Sequence, residues 1–271
     1  MTVSIITTGK DIDAGFGTYD SGTATYTRFP YDTRIGTLTA GTNLRRLYSL
    51  NDRSVKGIKV QKFEGSVSID MPLSDVSMLS DLISNIPYGD IIIVYPDFIR
   101  VLSDFVPQRI EVSIREDELV RLSIDGVYVD EAEYDIAGLT LDATDPSGTY
   151  PAHIDANLTT VDGVTNVTVR AATIRANLNN ELKWGFNSRK AQAVAPKQIE
   201  VEVTLEAIID KQMLDKVIAD TQTATSIAIT LNGSDTITVT DAYLDNVTNP
   251  LEPNTEVYAT LTYFGKSINV S

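Results

Sequence analysis

Two stretches of this chain alternate apolar and polar residues with the same period and in the same surroundings. In the first, Phe63, Gly65, Val67, Ile69 and Met71 interleave with Glu64, Ser66, Ser68 and Asp70. In the second, Ile199, Val201, Val203 and Leu205 interleave with Glu200, Glu202 and Thr204. A period of two predicts a half-buried β-strand. After each strand the period changes: Val76, Leu79, Ile83 and Ile86 follow the first, and Leu214, Val217 and Ile218 follow the second, at helical spacing. One short amphipathic helix is expected at each place, capped by Ser74 and Asp210 respectively, with Pro87 closing the first. A short helix with one apolar face is expected to lie against a sheet.

The two stretches correspond position by position. Asn51 and Asn187 are 136 residues apart, as are Arg53 and Arg189, Phe63 and Ile199, Glu64 and Glu200, and Ile69 and Leu205. The offset falls to 135 in the helix, where Met78-Leu79 answers Met213-Leu214. Half of 271 residues is close to that offset, so the chain reads as two tandem copies of one small domain. The first is expected over 1–130 with an N-terminal arm, and the second over 131–271 with a linker; each is long enough to bury its own core.

The remaining elements are mostly strands. In the first half they are expected over 34–44 (Ile35, Thr37 and Thr39 on one face), 91–95, 99–103, 109–114 and 119–124. Turns fall at Glu116-Asp117 and Asp125-Gly126. In the second half strands are expected over 167–177, 227–231, 236–240, 242–247 and 256–264. Residues 2–31, rich in Gly, Thr, Asp and Tyr, read as an irregular arm with short strand pieces. Its Gly15-Phe16-Gly17 is not a phosphate loop, because no strand-to-helix context or lysine follows. Trp184, opposite Tyr48 in the alignment of the halves, reads as a packing anchor.

Composition narrows the chemistry. At 42% hydrophobic and 22% charged the chain is an ordinary globular protein. No apolar run approaches the roughly 18 residues of a membrane span, and Met1-Thr2-Val3 does not open a signal peptide. There is no cysteine, which removes disulfides, thiol catalysis and cysteine metal sites together. The single histidine, His153, has no Ser or Cys pattern around it, so no catalytic residue, cofactor or metal is expected. Asp142, Asp145 and Asp155 lack the fixed ligand register of a calcium loop and read as a solvated linker. Net charge is −15, a surface that repels nucleic acid and disfavours tight DNA binding.

The basic residues are concentrated. Arg45, Arg46, Arg53, Lys56, Lys59 and Lys62 lie in one long polar segment beside a single acid, Asp52. Lys183, Arg189, Lys190 and Lys197 lie in the matching segment of the second half, 183–197, which has no acid. Ten of 22 basic residues therefore occupy one position in the repeat, while the other 12 share the rest of the chain with 36 acids. A charge run is usually a solvated face. Placed twice in an acidic protein, it points to a loop that docks onto an acidic partner, another copy of this chain included.

Strand, Asn-rich junction, basic loop, alternating strand with Glu near its start, short helix and closing strands follow in one order. That order resembles the tail tube proteins of tailed viruses. The second copy carries the resemblance best, through ATIRANLNNEL, PKQIEVEVTLEAIID, SIAITL and EVYATLTYFGK; the first matches through NLRRLYSLNDR and FEGSVSIDMPL. The resemblance implies a mainly β fold: two tandem β-sandwich or small-barrel domains, each flanked by one short α-helix. It implies a structural virion protein, made in the host cytoplasm and built into the tail of a bacterial or archaeal virus. Subunits of that family join their sheets into rings, and the rings stack around a channel for DNA. Two domains in one chain need only three chains for a pseudo-six-fold ring. Expected partners are other copies, tape-measure, tail terminator and baseplate proteins, and DNA that passes without specific binding. The loops, through Arg45, Arg46, Arg53, Lys56, Lys59, Lys183, Arg189, Lys190 and Lys197, are expected to hold one ring on the next. A tube or baseplate component of a contractile injection or secretion system is the alternative. A polysaccharide-binding sandwich is weaker, because exposed aromatics do not cluster on one predicted sheet.

Overall fold

The structure is a computed structural model. It describes residues 2–3, 6–7, 12–36, 38–49, 52–147, 150–152, 156–160, 169–186, 188–208, 224–248 and 258–271, with 2–3, 6–7, 39–49, 52–62 and 157–160 described as backbone alone. In chain order the first half holds β1 (Thr2–Val3), β2 (Ile6–Thr7), β3 (Asp13–Asp20), β4 (Thr23–Arg28), β5 (Arg34–Ile35), β6 (Leu38–Ser49) and β7 (Asp52–Pro72). Helix α1 (Ser77–Ser84) follows, then β8 (Asp90–Val94), β9 (Phe98–Ser103), β10 (Val106–Arg115), β11 (Arg121–Tyr128), β12 (Asp130–Asp135) and β13 (Thr140–Thr144). The second half holds β14 (Asn157–Thr160), β15 (Val169–Asn177), β16 (Glu181–Trp184), β17 (Ala191–Ala195), β18 (Glu200–Ile208), β19 (Thr225–Leu231), β20 (Asp235–Thr248), β21 (Tyr258–Gly265) and β22 (Ser267–Val270). The fold is mainly β, as the resemblance implied.

One 14-stranded sheet runs through both halves in the order β1-β6-β7-β11-β10-β15-β18-β21-β20-β19-β14. A six-stranded sheet, β12-β9-β8-β3-β4-β13, stands against its first half, and β16 pairs with β17 alone. The alternation read in the sequence holds: Val67, Ile69 and Met71 on β7, and Val201, Val203 and Leu205 on β18, are buried in one core. Each such side chain contributes about 1.5–3 kcal/mol by leaving water. Helix α1 places Leu79 and Leu82 on that core. Strand β8 is buried on both faces, with Ile91 and Ile93 in the main core and Ile92 in a second cluster with Ala24, Tyr26, Ile99 and Val101.

Four expectations need correction. Residues 13–28 are a regular hairpin rather than an irregular arm, turning at Ser21 and Gly22, both at positive φ. Its core side is carried by small or amphipathic residues, Ala14, Ala24 and Tyr26, which give a weak periodic signal. The linker supplies two edge strands, β12 antiparallel to β9 and β13 parallel to β4. Asp125-Gly126 is not a turn but lies inside β11, where a Cβ on Gly126 would stand 2.3 Å from the Phe105 ring. Helix α1 begins at Ser77, whose N–H donates to the Asp75 carboxylate at 2.8 Å, so Asp75 and not Ser74 serves its first turn. The helix expected after Asp210 lies outside the described residues.

Gly65 shows how tightly the first half is packed. A Cβ there would sit 2.0 Å from Cζ of Tyr128, a fully buried ring. The Tyr128 hydroxyl donates to Glu131 at 2.9 Å, and Glu131 also pairs with Arg100, so the ring is held at its far end. Gly65→Ala is therefore expected to cost about 1–3 kcal/mol by overpacking. Denaturant unfolding reads this as a lower midpoint at unchanged slope; an unchanged midpoint means that Tyr128 can move aside.

Candidate functional site: sheet edges and basic hairpins

The order β6-β7-β11-β10 in the first half of the main sheet is followed by β15-β18-β21-β20 in the second. Registers match as well. Ala40↔Gly65 between β6 and β7 answers Ala176↔Val201 between β15 and β18, 136 residues on. Ile69↔Ile124 answers Leu205↔Leu261, and Ile110↔Ile124 answers Val247↔Leu261. The register shift in β10 between Pro107 and Arg109 recurs in β20 between Leu244 and Asn246. Asp104 and Asp241, at equivalent corners just before those segments, have φ of 53° and 49°.

The halves meet where β10 pairs antiparallel with β15, with Arg109↔Asn177, Ile110↔Ala176 and Glu111↔Arg175 opposite each other. Charges and hydrogen bonds lock this seam. Glu111 accepts from Arg109 and from Arg175 at 3.0 Å, and Arg175 reaches on to Glu202 at 3.2 Å. Partial burial alone would raise the Glu111 carboxyl, but the hydrogen bonds from Arg109 and Arg175 outweigh it and hold it below its usual range. At the bulge, the buried Asn180 donates to the Pro107 carbonyl at 2.7 Å, and Gln108 donates back to the Asn180 carbonyl at 2.9 Å.

The outer strands lack such a neighbour. Among the described residues, β20 from Tyr243 to Thr248 pairs only with β21, and β6 beyond Thr39 pairs only with β7. The lower part of the β6 edge is occupied: Thr2 faces Thr39, Val3 faces Leu38, and Ile6 faces Ile35 of β5. An open strand edge is a template for another strand.

Both basic segments, expected as loops, are antiparallel hairpins in one register. Arg45↔Lys59, Arg46↔Ile58 and Tyr48↔Val55 in the first answer Glu181↔Ala195, Leu182↔Val194 and Trp184↔Ala191 in the second. Lys56 falls at a register shift, and Arg53 lies beside Asp52, which faces Ser49. The second hairpin is folded onto the first half. Leu182, Trp184, Ala191 and Val194 cover Val106, Val127 and Val129, and the Phe63 N–H donates to the Arg189 carbonyl at 2.8 Å. Trp184 thus packs within the protein.

Three of the four basic residues of this hairpin have acids within the chain. Lys183 and Lys197 pair with Glu181 at 2.6 and 3.0 Å, and Lys190 pairs with Asp130. Neither acid stood inside the segment read from sequence, so neither partner was anticipated. Arg189 is exposed and makes no ion pair among the described residues, and Phe186 at the tip is fully exposed.

Hydrogen bonds from Lys183 and then Lys197 bring the Glu181 carboxyl from its ordinary 4.5 down to about 2. A depressed carboxyl contributes stability above its unfolded value and loses it as pH falls through the folded one. Between about pH 4.5 and 2 the base of the hairpin is therefore expected to loosen, read as faster amide exchange in β16 and β17. Glu181→Gln is expected to remove this pH dependence; a pH dependence that persists in that variant assigns it elsewhere.

Among the described residues no group of three or more His, Asp or Glu is placed to hold a metal ion. Asp145 pairs with Arg28 at 2.7 Å; His153 and Asp155 lie outside the described residues. No described helix is long and apolar enough to cross a membrane. The family model for phage tail tube proteins matches residues 16–263. No curated protein matches the sequence.

Proposed function

The chain belongs to the phage tail tube protein family, a structural family of the virion tail, and we propose that it is the ring subunit of the tube. The observation that carries the reading is the β10–β15 seam inside one chain. Because strand order and register repeat, β20 of one copy stands to β6 of the next as β10 stands to β15. The same offsets put Asn246 opposite Gly41 and Val247 opposite Ala40 of the neighbour. This is a head-to-tail contact, which closes into a ring when the rotation allows and abolishes both open edges. We read residues 1–130 and 131–271 as two copies of one domain, with the junction strands β12 and β13 pairing onto the first copy, so that three chains make a pseudo-six-fold ring.

The N-terminal arm fits this junction. Val3-Ser4-Ile5 repeats Val112-Ser113-Ile114 of β10, and Thr2, Val3 and Ile6 face the positions on β6 and β5 equivalent to those that Glu111, Val112 and Arg115 face on β15. The described part of β20 runs to Thr248, and Pro250, two residues on, has no N–H to donate to an edge partner. The arm thus fills the part of the edge that the neighbour's β20 does not reach. By the same offsets the neighbour's Thr248 falls opposite Thr39, the position that Thr2 takes, so the two strands meet there and Val247 opposite Ala40 is the last pair clear of the arm.

Stacked rings would enclose the DNA channel, and a chain of net charge −15 gains no counterion release from DNA sliding past it. The free ends of the hairpins, with Arg53 and Arg189, would contact the next ring. Tape-measure, terminator and baseplate proteins would meet the lumen and ends of the tube. Electron microscopy at increasing concentration, with native mass spectrometry of single rings, tests this reading. Tubes built from rings of three chains are expected; six chains per ring, or no rings at all, would contradict it.

A further inference from the structure

We propose that the basic hairpin β6–β7 of one copy clasps the neighbouring copy in the same ring, covering an aromatic patch formed by Tyr243 and Phe264. The inference rests on the ring reading above and adds a second interface to it. Tyr243 and Phe264 are 37% and 47% exposed, among the few large apolar side chains left in solvent. They face each other across β20 and β21. Their equivalents in the first half, 137 residues earlier, are Val106 and Val127, which face each other across β10 and β11 in the same way. Val106 is fully buried, and what covers the pair is the β16–β17 hairpin of the second half.

The internal arrangement therefore identifies the missing cover. Hairpin β16–β17 follows β15 and folds over the strand that β15 pairs with. The upper part of β6–β7 is the same hairpin one repeat earlier, and it follows the β6 edge that would pair with the neighbour's β20. Matching registers place Tyr48, Val55 and Ile58 where the second hairpin has Trp184, Ala191 and Val194. Among the described residues, nothing answers to the strand pair that this hairpin would cover, and nothing answers to the hairpin that would cover Tyr243 and Phe264. A second copy supplies both. The same repeat extends to the main chain: Phe63 N–H donates to the Arg189 carbonyl, so Ile199 N–H of one copy would donate to the Arg53 carbonyl of the next.

In a lone chain the patch has only partial cover, from Lys266, whose ammonium lies 6.0 Å from the Tyr243 ring centre and also pairs with Asp241 at 3.3 Å. Lys266 stands where the first half has Val129, one of the residues under the second hairpin. The interface between copies would thus carry a charged group where the one inside the chain has a valine, as suits a contact that forms after folding.

Hydroxyl-radical footprinting of monomers, isolated rings and stacked tubes tests the clasp. Tyr243 and Phe264 are expected to lose at least half of their reactivity when rings form, with no further loss on stacking. In rings of Ile58→Asp, altered on the clasping hairpin, their reactivity is expected to return. Full reactivity in rings of three chains would overturn the clasp while leaving the ring reading intact. Protection only in tubes would also overturn it, by assigning the cover to the next ring. A parent chain that forms no rings would instead refute the ring reading.

Discussion

A chain carrying Arg53→Glu and Arg189→Glu is expected to fold and to close into rings, but not to stack them into tubes. Arg189 is exposed and its side chain has no ion pair among the described residues, so reversing it disturbs no contact of the fold. The bond it does make, from Phe63 N–H, uses its main-chain carbonyl and survives substitution. The lysines around it differ, because Glu181 and Asp130 already neutralise Lys183, Lys197 and Lys190. In the second hairpin the charge left to meet a second ring is thereby concentrated on Arg189, and Arg53 holds the same repeat position in the first. A single exposed ion pair is worth about 0.2–1 kcal/mol. Repeated around a ring and turned from attraction to repulsion, such pairs total several kcal/mol, enough to raise the concentration needed for tube growth roughly a hundredfold or more. Light scattering and microscopy at low salt, where such contacts are strongest, decide the point. Tubes growing at the parental concentration would remove the hairpin tips from the ring-to-ring contact.

Proline in β20 is expected to abolish rings from one position and weaken the monomer from the next. Asn246 and Val247 are consecutive residues in regular register with Thr262 and Leu261 of β21. Successive N–H groups in a strand point to opposite edges, so one of the two bonds β21 and the other faces the open side. Proline removes that donor and is tolerated only where it faces outward. One of Asn246→Pro and Val247→Pro should therefore lower the stability by about 1–3 kcal/mol, the cost of a ladder hydrogen bond lost with its acceptor left unpaired. Its companion should keep a near-parental midpoint and form no rings. If both variants close rings as the parent does, β20 is not the joining edge.

How much of this was legible in the sequence depended on residue chemistry. Strands β7 and β18 were readable because Ile, Val, Leu and Met alternate with Glu, Ser and Asp along them. The β3–β4 hairpin was not, since Ala14, Ala24 and the glycines beside them give no hydrophobic period, although Ala14 and Ala24 are buried. Asp125-Gly126 had the letters of a hairpin turn; long-range contact with Phe105, which no local rule weighs, explains why glycine sits inside a strand there. The basic segments were found by their charge and by the repeat, but their hairpin form was hidden because their strands carry little alternation. Glu181 and Asp130 were missed as partners because the segment was bounded at Lys183, and Asp130 meets Lys190 only through folding. The patch at Tyr243 and Phe264 had no signal in a single copy. It shows only when the two halves are compared and the pair answering to the covered Val106 and Val127 is found exposed.

The chain has no cysteine, which makes the junction between copies directly testable. Residues directly opposite in an antiparallel pair have Cα atoms about 4.5–5.5 Å apart, within the range that a disulfide spans. A chain with Ala40→Cys and Val247→Cys, assembled and then oxidised, should run as a covalent ring of three chains in denaturing gels and return to monomer on reduction. Ile110→Cys with Ala176→Cys, the same pair of positions inside one chain, should link without change of mass and so report that the geometry permits the bond. Covalent rings of six chains, or no link between copies while the internal pair links fully, would contradict a head-to-tail ring that repeats the internal seam.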